Sequence, residues 1–248
     1  MRLIQGDCME ILPQLIEEGV KVDMVFVDLP YGEVACKWDK QLDLPLMFDH
    51  LKQLVKVGGA MCFTATFKFA IELVNACPEL FKYEWVWEKD NGTNVPLINY
   101  MPYRIHEYVL VFSEGRCTHG TKTPAIKYNP QKWQGKPYIA KRKGNRGVNW
   151  RNLPNMDTFN IDGMRHPLSI QYFKRERGLH STQKPVDMCR YFIKTYSDEG
   201  DTVLDFTMGS GSTGVACKQS GRHFIGIEYD SDFFKKAKNR INSQEVLV

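Results

Sequence analysis

Four short apolar runs that each finish on an acidic residue constrain this chain most: Leu3-Ile4-Gln5-Gly6-Asp7, Asp23-Met24-Val25-Phe26-Val27-Asp28, Thr202-Val203-Leu204-Asp205 and His223-Phe224-Ile225-Gly226-Ile227-Glu228. Runs of this length and composition suit strands buried on both faces of a parallel sheet. In such sheets ligands bind beyond the carboxyl ends of the strands, which is where these acids lie. Helical spacing follows the runs. Met9, Leu12, Leu15 and Ile16 mark a helix from Cys8 to Glu18, stopped by Gly19, and Phe233, Phe234, Ala237 and Ile241 mark another from about Asp232. Between these ends the pattern predicts a helix over 47–56 that stops at Gly58-Gly59, a strand over 60–63, a helix over 69–76, and strands over 84–87 and 108–112. Alternating strands and helices imply an α/β fold with a doubly wound, mostly parallel sheet.

From about Ser113 to His180 this regularity is lost. The stretch is rich in Gly, Pro, Asn, Lys and Arg, with Tyr128, Trp133, Tyr138 and Trp150 set among the charges. A segment of that length is a functional insertion or a disordered one. The expected organisation is therefore a catalytic and cofactor-binding domain made of 1–112 and 181–248, with 113–180 as an inserted target-recognition region. Charge supports the division. The chain has a net charge of +4, yet Lys122, Lys127, Lys132, Lys136, Lys141, Arg142, Lys143, Arg146 and Arg151 form a stretch without any acid, and the remainder is net acidic. Basic residues interleaved with stacking aromatics suit nucleic acid, and the expected DNA contacts are Lys136, Lys141, Arg142, Lys143, Arg146 and Arg151. A solvated insertion without a partner is the alternative.

Two motifs carry chemistry. Gly209-Ser210-Gly211-Ser212-Thr213-Gly214 follows the strand that ends at Asp205 and opens a helix, so backbone N–H groups can approach a nucleotide-like ligand. Glu228, ending the next strand, is placed for ribose hydroxyls. The stretch after Gly214 is too short for a whole nicotinamide-binding domain, which suggests that the other half of the site lies at the N-terminal end, with Asp7 near an adenine amino group. The second motif is Asp28-Leu29-Pro30-Tyr31-Gly32. An exocyclic amine on a base is a poor nucleophile because its lone pair is delocalised into the ring. A carboxylate and a backbone carbonyl that accept its N–H groups localise that pair, and an adjacent aromatic ring can stack on a base drawn out of the helix. By itself, a strand followed by a proline turn is an equally good reading.

With these motifs set side by side, the chain resembles the β-class DNA amino-methyltransferases, which act on adenine N6 or cytosine N4 and in which the catalytic motif precedes the cofactor motif. Asp28-Leu29-Pro30-Tyr31 resembles D-P-P-Y. Asp205-Phe206-Thr207-Met208-Gly209-Ser210-Gly211-Ser212-Thr213 resembles D-P-F-x-G-S-G-T-T, and His180-Ser181-Thr182-Gln183-Lys184-Pro185 resembles H-P-T-Q-K-P. The resemblance implies an S-adenosylmethionine-dependent methyltransferase sheet with circularly permuted motif order. It assigns catalysis to Asp28, Leu29, Pro30 and Tyr31. It assigns the cofactor to Asp7, Asp205, Thr207, Gly209, Gly211 and Glu228, with His180 and Lys184 near its methionine end. Leu29 stands where the family has proline, but a backbone carbonyl is what that position supplies. Phe206-Thr207 stands for Pro-Phe and Ser181 for proline; neither change removes a charged or catalytic group.

The implied reaction is methyl transfer to adenine N6 in DNA, because an opening Asp is more typical of adenine enzymes and an opening Ser of cytosine-N4 ones. Cytosine N4 is the nearest alternative, and a nucleic-acid-binding protein that keeps the fold without catalysis is another. Methylation at cytosine C5 requires a cysteine nucleophile, and no Pro-Cys dipeptide is present. A homodimer and a cognate restriction endonuclease are left open as partners beside DNA. The seven cysteines are scattered with no C-x-x-C pair, and His50, His119, His166 and His223 have no metal-ligand spacing. No signal-peptide core or membrane-length apolar run is present, so a cytoplasmic enzyme without membrane contact or metal is expected. Trp38-Asp39 reads either as a loop closing on the base or as a core Trp beside a helix cap. His106-Glu107, before an apolar strand, is expected to be structural.

Overall fold

The computed structural model describes residues 1–32, 41–119, 122–141, 157–176, 178 and 183–244. These divide into two compact units, 1–129 with 169–248, and 130–168. The first unit carries an eight-stranded sheet, built in chain order from β1 (Arg2–Gln5), β2 (Val22–Asp28), β3 (Val55–Ala65), β4 (Phe81–Glu88), β5 (His106–Phe112), β10 (Ile170–Tyr172), β11 (Thr202–Asp205) and β12 (His223–Glu228). Their spatial order is β1-β12-β11-β2-β3-β5-β4-β10. All pairings are parallel except those of β5, which runs antiparallel to both β3 and β4.

Side chains leave these strands alternately toward two layers, as the period of a strand requires. Val25, Val27, Met61, Phe63, Leu110 and Phe112 pack with α1 (Cys8–Glu17), α2 (Leu44–Leu54) and α3 (Phe67–Ala76). Met24, Phe26, Ala60, Cys62, Val109 and Val111 pack with α4 (Val186–Tyr196), α5 (Ser212–Gln219) and α6 (Ser231–Asn242). This is the doubly wound arrangement expected from the sequence. Three local features differ from it. The helix read over 47–56 is α2, which ends at Leu54, and β3 begins at Val55, so Gly58-Gly59 lies inside a strand. A Cβ on Gly59 would stand 2.6 Å from the Asp23 carbonyl oxygen, so the glycine permits a close approach of β3 to β2. The helix α4 buries Met188, Cys189, Phe192, Ile193 and Tyr196 at helical spacing and was not read as a helix. Within the stretch read as irregular, β10 joins the main sheet at its edge.

The second unit holds two antiparallel ribbons. One pairs β6 (Trp133–Gln134) with β9 (Met164–Arg165), the other β7 (Tyr138–Ala140) with β8 (Thr158–Asn160). The Arg165 guanidinium lies 4.4 Å from the centre of the Tyr138 ring, and Trp133, Ile139, Phe159 and Ile161 are exposed. Among the described residues no helix is long and apolar enough to cross a membrane, and no cluster of His, Cys, Asp or Glu could hold a metal ion.

Candidate active site

The order of strands fixes where the two motifs meet. From β11 the chain passes through α5 to β12 on one side; from β2 it passes through α2 to β3 on the other. β11 and β2 are hydrogen-bonded neighbours, Val203 opposite Met24 and Leu204 opposite Val25. The boundary between them is thus a topological switch point, where loops diverge and leave a crevice at the carboxyl ends. Asp28 and Asp205 end these two strands. A side-chain bond closes the seam: Thr207 Oγ1 donates to the Asp28 carbonyl oxygen at 2.9 Å. Residues 179 positions apart are joined here.

On the β11 side the glycine-rich turn is held from several directions. Gly211 is the N-cap of α5 with φ +79°, a left-handed conformation that favours glycine. The Glu228 carboxylate accepts the Gly209 N–H and the Asp230 N–H, each at 2.8 Å. From α6, Arg240 donates to the Ser210 carbonyl at 3.2 Å and the Ser212 hydroxyl at 3.0 Å. Asp7 accepts the Met9 N–H at 2.8 Å and so caps α1. Asp7, Asp205 and Glu228 thereby follow or end three parallel strands, β1, β11 and β12, around one turn. Such a set of acceptors suits the amino and hydroxyl groups of a nucleoside. Gly209 leaves room for one, since a Cβ there would meet nothing nearer than 4.0 Å. Burial raises the Glu228 carboxyl above its ordinary value despite these N–H donors.

Asp205 is 3% exposed, and burial raises its carboxyl from 3.8 to about 7, against hydrogen bonds from Thr213 and the Thr207 N–H. Between about pH 4 and pH 7 the folded chain therefore keeps a proton that the unfolded chain has lost, and stability falls as pH rises through that window. Asp205→Asn should remove this fall. Without cofactor, the variant should unfold at a higher temperature than the parent at about pH 8 and at a similar one at about pH 4. A parent whose unfolding temperature is level across the window would refute the burial account.

On the β2 side Asp28 is 29% exposed and sits at the centre of a polar cluster. Its Oδ1 accepts the Tyr31 hydroxyl at 2.8 Å and the hydroxyl of Thr64, its register partner on β3. Its Oδ2 accepts Lys184 Nζ at 2.6 Å. The Tyr31 ring packs against Phe69, centroids 4.9 Å apart, and burial together with the Asp28 charge raises its hydroxyl pKa well above the ordinary range. Leu29 is buried, its side chain in the core rather than the site. Lys184, expected near the methionine end of the cofactor, ion-pairs with Asp28. Burial opposes its charge, but Asp28 and Glu107 outweigh burial and raise its pKa.

Thr64, Phe69, Arg240 and Glu107 were not anticipated as part of this site. Only Glu107 had drawn notice, as a structural residue. Lys136 and Lys141 are exposed in the second unit. Arg142, Lys143, Arg146, Arg151, His180 and Trp38-Asp39 lie outside the described residues. The cysteines among the described residues are all free.

A crevice at a switch point, a set of nucleoside acceptors on one side and an acceptor-rich D-L-P-Y turn on the other define an amino-methylating enzyme of nucleic acid. The chain belongs to the N6/N4 DNA methylase family, whose model matches residues 22–239. The family is one of S-adenosylmethionine-dependent methyltransferases. M1.MboII, a Type II methyltransferase of Moraxella bovis, is 25% identical, with 99% of this chain and 98% of that protein aligned. The crystal structure of an M1.HpyAVI–SAM complex shares the fold with a TM-score of 0.65 at 24% identity, over 96% of this chain and 98% of that one. TTHA0409 of Thermus thermophilus, a DNA modification methylase solved with S-adenosyl-L-methionine, gives 0.61 at 18% identity over 97% and 92%.

Proposed function

We propose that this chain transfers a methyl group from S-adenosylmethionine to the N6 amino group of adenine at specific sites in DNA. The observation that carries the reading is the convergence of Asp28 and the Gly209 turn on the β2–β11 seam, tied by Thr207. When bound there, the cofactor supplies an electrophilic methyl group on a sulfonium. Asp7 and Glu228 would hold its adenosine, Asp205, Gly209 and Gly211 its approach along the turn, and His180 its methionine end. Asp28 and the Leu29 carbonyl accept N–H bonds from the flipped base, so the nitrogen lone pair faces the methyl group. The new N–C bond forms as the S–C bond breaks, with no covalent bond to the enzyme, and the displaced amine proton passes by way of Asp28 to water. Tyr31, anchored by its hydroxyl, stacks on the base.

Residues 113–180 supply target recognition in this proposal. Exposed Lys136 and Lys141, with Arg142, Lys143, Arg146 and Arg151, give the sequence-independent phosphate attraction, and base readout falls to other side chains. The opening Asp of the tetrapeptide favours adenine over cytosine N4. Mapping modified bases in DNA treated with the purified chain and cofactor tests the assignment. N6-methyladenine within one sequence context is expected. N4-methylcytosine would overturn the choice of base, and DNA binding without any modified base would overturn the enzyme reading.

A further inference from the structure

A line of alternating charges continues behind Asp28, away from the residues so far assigned to the reaction. Lys184 Nζ lies 3.7 Å from Glu107 Oε2, and Glu107 Oε1 pairs with Lys89. The side chains of Lys184, Glu107 and Lys89 are 9%, 15% and 3% exposed. Glu107 comes from β5, opposite Trp87 on β4, and Lys89 follows β4 directly, with its N–H donating to the Ile105 carbonyl at 2.7 Å. Lys89 also lies 4.9 Å from the Trp87 ring centre. Two backbone-paired strands thus fix the outer pair. Glu107 Oε2 is fully buried and has no hydrogen-bond partner among the described residues, so it faces Lys184 as an unshared counter-charge. A buried acceptor left without a hydrogen bond costs about 1 to 3 kcal/mol, which calls for a reason.

Counting acceptor sites supplies one. A carboxylate offers about four lone-pair positions. Tyr31 and Thr64 take both of those on Asp28 Oδ1, and Lys184 takes one on Oδ2. A single position on Oδ2 remains for an incoming N–H, and its direction is set by where Lys184 stands. Lysine is a flexible point charge, so something must hold it to one side of that oxygen. We propose that Glu107, braced by Lys89, is a positioning residue that holds Lys184 so that the last acceptor position of Asp28 points at the target amine. The inference rests on the functional reading above.

A double-mutant cycle separates this role from simple support of the fold. Single-turnover methyl transfer is measured at saturating DNA and S-adenosylmethionine for the parent, E107Q, K184M and E107Q/K184M, with cofactor affinity measured calorimetrically. E107Q should slow transfer about tenfold or more, a loss that one misplaced hydrogen bond can produce, and leave cofactor affinity within about twofold. In the K184M background the same change should have no further effect, because Glu107 acts only through Lys184. If E107Q leaves Lys89 too poorly compensated to fold, K89M/E107Q removes both charges and carries the same test. Transfer by E107Q at the parental rate overturns the proposal, as does a loss that multiplies with that of K184M. A parent chain that modifies no base overturns the functional reading and this inference with it, an outcome distinct from an active parent with an unimpaired E107Q.

Discussion

Asp28→Asn should slow methyl transfer by about a thousandfold, the scale on which a single preorganised polar contact with a reacting centre matters. The variant keeps the side-chain volume, and Asn Oδ1 can still accept the hydroxyls of Tyr31 and Thr64 that Asp28 accepts now. It replaces Oδ2 with an amide that donates, and a donor cannot receive the N–H of an incoming amine. The same amide faces Lys184, which loses its 2.6 Å partner while buried. Breaking a buried pair costs more than the pair contributes, but Glu107 stays as a counter-charge, so a loss of about 1 to 3 kcal/mol is expected. That corresponds to roughly 2 to 4 °C per kcal/mol in unfolding temperature for a chain of this size. Cofactor affinity should be little changed, because the carboxylates around the glycine-rich turn are untouched. Parental turnover by Asp28→Asn would remove Asp28 from the mechanism.

Glu228→Ala should do the opposite, weakening S-adenosylmethionine binding by about a hundredfold while leaving the rate at saturating cofactor within a few-fold. Two consequences combine. The Gly209 N–H loses its acceptor, so the turn is no longer fastened to β12, and the ribose loses a charged acceptor. Charged hydrogen bonds contribute about 1.5 to 3 kcal/mol each, and every 1.4 kcal/mol is tenfold in affinity. Glu228→Gln, which retains one acceptor, should fall between. Because burial raises the Glu228 carboxyl, parental affinity should begin to decline in milder acid than an ordinary glutamate would allow. Calorimetric titration across pH checks both points; an affinity for Glu228→Ala within about threefold of the parent would exclude Glu228 from the cofactor site.

How far the sequence could lead is clear from particular elements. β2, β11 and β12 were legible because strands buried on both faces carry uninterrupted apolar runs, and each ends on an acid. The start of β3 was not, since Gly58-Gly59 is the usual mark of a helix end and only the packing of β3 against Asp23 gives it another use. α4 carried a readable signal in Phe192, Ile193 and Tyr196, just after Pro185 at its N-cap. β10 carried none, because a three-residue edge strand exposes alternate side chains and satisfies no periodicity. Within the site, Asp28 and the glycine turn were legible because each motif is local. The pairing of Lys184 with Asp28, 156 residues away, was not, and neither was the place of Glu107 behind it. Those contacts depend on which strands are neighbours, and spacing along the chain does not encode that.

The strand order also bears on how the chain is made. β1 and β2 emerge from the ribosome early, yet in the finished sheet β12 and β11 stand between them. Neither early strand can acquire its final neighbours on that side until synthesis has passed residue 228, and Met24 waits for Val203. Parallel pairings over such separations close large loops and form slowly. A nascent or truncated chain would hold Asp28 without the seam that orients it. Methylating competence would therefore arrive in one late step, when the last strand pair slots into a gap kept open for it.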